Sequence, residues 1–218
     1  FLHFSLNLPK VWLHPKEFTM LYCSIDIETT GLDFQNHDIV EFAAVIDDLK
    51  DPQPIEKLPK FHAVFLKQSY NGNPYALSMH SELFKRIENA NKRNLEECSV
   101  TGARFMSLEQ LPIALEVFLL QNGFKKEKNG KIYVSIAGKN VSSFDLPFLK
   151  AKVQNWENIY FLNRVIDPAI LYYNVEQDDK IPDMKTCMER AGMAGEVPHT
   201  SVEDSLIVVK LLRNKLCK

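Results

Sequence analysis

Cysteine is sparse in this chain. The four residues, Cys23, Cys98, Cys187 and Cys217, are scattered, with no CxxC pair. That excludes a disulfide framework and a zinc site built on thiolates, and the plain reading is a reduced, intracellular, cytoplasmic protein. No run of eighteen apolar residues exists, so no transmembrane helix and no membrane partner is expected. The N-terminal FLHFSLNLPKVWLHPKEFT is apolar in places but is interrupted by Pro9, Lys10, Pro15 and Lys16. With no basic leading region and no small-residue cleavage site, it does not read as a signal peptide. Positive charge is not in excess either, since the net charge is -2 and the pI about 6.3. This argues against a simple basic DNA-binding module, and any nucleic-acid binding must rest on a local patch or on bound cations. Internal repeats and low-complexity tracts are absent.

What is present suits one globular domain. The 218 residues can bury a full core, and 45% hydrophobic with 25% charged residues is an ordinary globular balance. Met20 directly precedes the first expected strand, so residues 1–19 read as an extension and 20–218 as the functional domain.

From Leu21 to Ile27 the residues alternate, placing Tyr22, Ser24, Asp26 and then Glu28 on one strand face. Ile39 to Ile46 reads as an antiparallel neighbour and the segment from Phe61 as a third strand. NGNPYALSMH reads as a turn, followed by a helix capped by Ser81 and another opened by the capping-box pair Ser107 and Gln110, with Pro112 an irregularity. The lysine-rich KKEKNGK reads as a solvated turn, contact with a phosphate backbone being the alternative. A fourth strand is expected over 132–137, a helix from Ser142 or Ser143 toward Val153, short extended pieces at 159–161 and 164–166, and closing helices over 184–191 and 202–216. Strands first, then helices interleaved with shorter strands, predict a layered α/β domain with a mixed sheet, antiparallel in its first half.

Three places carry chemistry. SIDIETTGL sets Asp26 and Glu28 on one face of a strand with no basic residue at Tyr22 or Ser24 to pair them. GKNVSSFDLPFL carries Asp145, and HTSVEDS carries His199 and Asp204. Singly, Asp145 and Asp204 have a bland explanation as the acidic partners of capping boxes with Ser142 and Ser201, and His199 as a loop histidine. Together, four carboxylates from three segments can converge on one point only if cations sit among them. Hard oxygen donors in that number suit two Mg²⁺ or Mn²⁺ ions, the usual device for hydrolysing a phosphodiester.

In that order, SIDIETTGL, GKNVSSFD and HTSVEDS resemble the three motifs of the DEDDh group of 3′–5′ exonucleases, which includes ribonuclease T and the proofreading subunit of bacterial DNA polymerase III. The resemblance runs from about Met20 to the end of the chain. It implies a ribonuclease H-like fold, a mixed five-stranded sheet flanked by helices. It also implies that Asp26 bridges both ions, that Glu28 and Asp204 complete the site of the ion holding the nucleophilic water, and that Asp145 serves the second ion. His199 would be the general base; it stands five residues before Asp204, whereas the sister subgroup has tyrosine four before, where this chain has Thr200. Thr29, Thr30, Gly31 and Leu32 would offer backbone groups to the terminal nucleotide, with Leu32 packing on its base; Asn140 and Phe144 would line the same cleft, Phe144 serving either cleft or core. The chain departs from the common pattern at Lys139, where many members have His, at Ser201, often Ala, and at His80, often Asn.

The expected activity is hydrolysis at the 3′ end of single-stranded or frayed DNA or RNA, releasing nucleoside 5′-monophosphates, with nucleic-acid 3′ ends as the partner. Spacing is compatible with a monomer, a homodimer or a polymerase-bound subunit, and a chain without a polymerase or zinc domain suits a stand-alone enzyme. The alternative is a non-catalytic nucleic-acid-binding or scaffold module that keeps the fold, although none of the five catalytic positions is missing. A phosphatase or glycosyltransferase using DxE-like ligands is a third reading, disfavoured because Glu28 breaks the DxD pattern.

Overall fold

The computed structural model describes residues 19–92, 102–195 and 200–217. Residues 1–18, most of the expected extension, and His199 lie outside the described residues.

The first three strands are β1 (Leu21–Thr29), β2 (Ile39–Asp48) and β3 (Lys60–Phe65), joined antiparallel in sequence order. Helices α1 (Pro74–Met79) and α2 (Ser81–Lys92) follow, then β4 (Arg104–Met106) and α3 (Leu111–Gln121). The remaining elements are β5 (Ile132–Val134), β6 (Ile136–Ala137), α4 (Asp145–Lys152), β7 (Ile159–Phe161), α5 (Met184–Arg190) and α6 (Ser201–Leu216). The main sheet is five-stranded and mixed, in the order β4-β3-β2-β1-β6, with β4 parallel to β3 and β6 parallel to β1. β2 is the central strand, and its residues from Ile39 to Asp47 are buried. Covered on both faces, it reads as a nearly continuous apolar run rather than an alternation.

Helices cover both faces. Cys23, Ile25 and Ile27 point into a core shared with Leu111, Leu115 and Leu119 of α3 and Phe148 and Leu149 of α4. Tyr22, on the other face of β1, packs with Val208, Val209 and Leu212 of α6. The helix runs back along β1. Asp47, bonded by Tyr22 Oη at 2.8 Å, is ion-paired with Arg213 near the helix's end. Ser24 Oγ donates to the Ser205 carbonyl at 3.0 Å near its start. Asp26 and Glu28 therefore lie where the helix begins.

Three expectations are corrected. NGNPYALSMH is not only a turn, because residues 74–79 form α1. The Asn73 side chain accepts from Ala76 N at 2.8 Å and Pro74 occupies the first turn, so the same Asn and Pro that punctuate a turn serve here as N-cap and helix start. The single strand expected over 132–137 is divided at Ser135. β5 pairs with β7 in a separate two-stranded sheet, whereas β6 pairs with β1. β4 has no counterpart among the expected strands and is held by parallel pairing of Arg104–Met106 with β3. The Ser107–Gln110 pair is present, the Gln110 side chain accepting from Ser107 N at 2.9 Å, but it opens a 3₁₀ turn that passes into α3 at Leu111.

Candidate active site

Carboxylate oxygens of Asp26, Glu28 and Asp204 all lie within 4.8 Å of one another. With Asp145 they border a cleft of about 400 Å³ that is also lined by Ile27, Lys139, Asn140, Ser143 and Phe144. Among the described residues, no lysine or arginine forms an ion pair with Asp26, Glu28 or Asp145.

Each acid is placed by a different device. Asp26 and Glu28 are carried by β1, which bulges immediately after Glu28. The pairing of β1 with β6 reaches only Ser24, leaving later amides on that edge without a strand partner. One of them, Ile27 N, donates to Asp145 Oδ1 at 3.0 Å. A buried amide is thereby satisfied and the first turn of α4 is tied to β1. The capping-box explanation of Asp145 fails, since α4 starts at Asp145 itself, with Phe144 as N-cap and no side-chain cap. At α6 the N-cap Thr200 donates through Oγ1 to Glu203 at 2.9 Å. Glu203 is the acid that meets Thr200, and the Asp204 carboxylate lies with those of Asp26 and Glu28.

The electrostatics are those of crowded like charge. Burial first, then Asp145, Glu28, Asp204 and Glu41, push the Asp26 carboxyl well above the usual carboxylate range. Glu28 is raised to about 8 by burial and by Glu41, Asp204 and Asp145. Asp145 rises to about 7 through burial, with its backbone hydrogen bonds acting in the opposite direction. Divalent cations fit this donor set: the ligands are hard oxygens, close together, in a site with an excess of negative charge.

Two further residues shape the site: Glu41, absent from the sequence reading, and His80, named there only as a departure from the family pattern. Glu41, directly opposite Glu28 in the β1–β2 register, sits 2.6 Å from His62 Nε2 and accepts from Ser201 N at 3.1 Å. Burial acts to raise its carboxyl, but the His62 bond and the Ser201 amide outweigh that and hold it below the ordinary value. It anchors the start of α6 and so the position of Asp204. The available signal was an acid inside the apolar run IVEFAAVI, the same anomaly that marks Asp26 and Glu28. His80 is buried, with Nε2 3.4 Å from Glu28 Oε2.

The turn after β1 is held from within. Thr30 is fully buried; its N–H donates to Asp38 O, its carbonyl accepts from Asn73 N, and its hydroxyl accepts from Asp38 N. Thr29 Oγ1 donates to the Gly31 carbonyl at 2.7 Å. Thr30 is thus committed to the shape of the turn. Gly31 is required by close approach, since a Cβ there would lie 2.3 Å from His37 Nδ1. Leu32 projects into solvent, 81% exposed. Asn140 takes a left-handed φ of 57°, tolerated by asparagine, and its N–H donates to Asp167 Oδ2 at 2.9 Å. Phe144 does both things expected of it, bordering the cleft and packing against Phe148 with ring centroids 5.1 Å apart.

Gly138 lets the second acidic loop approach β1, because a Cβ there would meet the Ile25 carbonyl oxygen and Val141 Cβ, both at 2.9 Å. Gly138→Ala should therefore destabilise the protein by about 1–3 kcal/mol, the usual cost of overpacking, in urea unfolding. An unchanged midpoint would show that the loop has room to move away.

No protein-family model matches the chain, and no curated protein is significantly similar to it.

Proposed function

We propose that the cleft is that of a metal-dependent phosphodiester hydrolase. More particularly, the protein acts as a DEDDh-type 3′–5′ exonuclease on a ribonuclease H-like sheet, removing nucleoside 5′-monophosphates from single-stranded or frayed ends. The observation that carries this reading is the convergence of Asp26, Glu28 and Asp204, with Asp145 in the same cleft, from elements far apart in the chain.

Asp26, Glu28 and Asp204 hold the cations, two Mg²⁺ or Mn²⁺, and Asp145 supports them while keeping α4 against β1 through Ile27 N. Bound there, the ions supply Lewis acidity and a nucleophilic hydroxide at neutral pH. His199, which precedes the first residue of α6 by two positions, takes the proton from the attacking water; its assignment rests on motif position. Lys139, whose Nζ lies 2.9 Å from Asn140 Oδ1 at the cleft wall, meets substrate phosphate in this reading. Leu32, exposed beside the acids' own turn, offers an apolar surface to the terminal base.

The test is degradation of matched 3′-labelled RNA and DNA, single-stranded and duplex, with Mg²⁺ and then Mn²⁺. Stepwise loss from the 3′ end is expected. Binding without cleavage would favour the scaffold reading. In the same assay His199→Ala should lower the rate by ~10²–10⁴, with metal binding by calorimetry nearly unchanged.

A further inference from the structure

A polyanion approaching this cleft meets four carboxylates on a protein whose net charge is -2. Cations bound there and Lys139 would offset those charges at the reacting end, and the rest of the strand calls for a favourable patch elsewhere on the surface. The outer face of the β5–β7 sheet has the required composition. Ile132, Val134 and Ile159 face the core, which turns Tyr133 and Tyr160 outward. The two tyrosines are paired in register, 39% and 42% exposed, with ring centroids 5.4 Å apart. The lysine-rich turn adjoins them directly: Asn129 Nδ2 donates to Tyr133 Oη at 2.8 Å, and Glu127 N donates to the Lys131 carbonyl at 2.8 Å. Lys125, Lys128 and Lys131 are exposed, and among the described residues none of the three forms an ion pair. Lys126 is the exception, paired with Glu116 at 2.6 Å.

We propose that this aromatic and lysine face is a second docking surface for single-stranded nucleic acid, holding the strand upstream of the end that enters the cleft. Exposed rings offer bases a sequence-tolerant stacking surface, and neighbouring ammonium groups meet the phosphates. The surface is within reach of the cleft. Tyr133 precedes Lys139 by six residues, which limits their separation to about 22 Å. A buried tyrosine pair, or lysines all neutralised by acids, would have carried no such reading.

The proposal rests on the nuclease reading for its choice of ligand, so the experiment is run without catalysis. Fluorescence anisotropy of a labelled ~30-nucleotide oligo(dT) or oligo(U) in EDTA reads binding alone. The full chain is expected to bind with a clear salt dependence. Tyr133→Ala/Tyr160→Ala should weaken binding about 5–100-fold, while Tyr133→Phe/Tyr160→Phe should retain it. Lys128→Ala/Lys131→Ala leaves core packing untouched and should reduce the magnitude of the log–log salt slope by about 1.4, or 0.7 per lost phosphate contact. Failure of the full chain to bind, or wild-type affinity and salt slope in the lysine variant, overturns the proposal. Patch-dependent binding in a protein that cleaves nothing would support the surface while removing the exonuclease reading. Cleavage with patch-independent binding would do the reverse.

Discussion

In the Asp26→Asn variant, release of nucleotides from a 3′-labelled strand should fall by ~10³-fold or more, while the metal-free protein at pH 8 should melt at a higher temperature than wild type. The two effects have one cause. Asp26 carries a carboxylate whose ionised form is disfavoured by burial and by Asp145, Glu28 and Asp204. Asparagine keeps the shape and removes the charge, so the local repulsion is relieved. The same change removes a central oxygen ligand from a site proposed to act through bound cations, where charge stabilisation supplies most of the rate. A structural acid would behave in the opposite way, since losing a paired carboxylate lowers stability. Retained cleavage, or a lower melting temperature without metal, would sink the assignment of Asp26.

Metal removal and pH should show the same antagonism in the wild-type protein. Glu28 is raised from 4.5 to about 8, and Asp145 from 3.8 to about 7. Between the ordinary and raised values the folded state holds more protons than the unfolded state. Stability therefore falls as pH rises. With EDTA, the melting temperature should decline from about pH 4 to about pH 8. A divalent cation binds the ionised site and not the unfolded chain, so at 100 times its dissociation constant it should add about 2.7 kcal/mol. For a domain of this size that is a rise of roughly 5–10 °C, largest at the alkaline end of the window. Differential scanning fluorimetry across pH, with and without Mg²⁺ or Mn²⁺, measures it directly. A melting temperature that is flat or rising over that window without metal, or unmoved by metal, would falsify the cation site.

Much of the site was legible because it is made of anomalies. Asp26 and Glu28 stand in a strand that otherwise alternates apolar residues, and no neighbouring base explains them. The same anomaly marks Glu41, an acid inside the apolar run of β2, but there a strand partner, His62, accounts for it. Asp145 and Asp204 were ambiguous in isolation, since an acid three residues after a serine is what a capped helix also contains. Only the contacts separate the two readings. Asp145 bonds an amide 118 positions away in β1, and a carboxylate oxygen of Asp204 lies within 4.8 Å of those of Asp26 and Glu28.

The antiparallel order of the first three strands, the longer helices α2, α3 and α6 and the face of β1 that bears the acids were all present in the residue pattern, because periodicity and turn chemistry are local properties. The short piece at 159–161 was present too, but β4 and the separation of β6 from β5 were not. β4 and β6 are three and two residues long, so they exist as strands only because β3 and β1 supply hydrogen-bond partners. The division at Ser135 likewise depends on which neighbour each half meets, β7 or β1. The convergence of the four carboxylates belongs to the same level. Each is placed by a backbone pairing, an amide or a helix start from a remote part of the chain, and the repulsion that raises their proton affinities arises only once they are together.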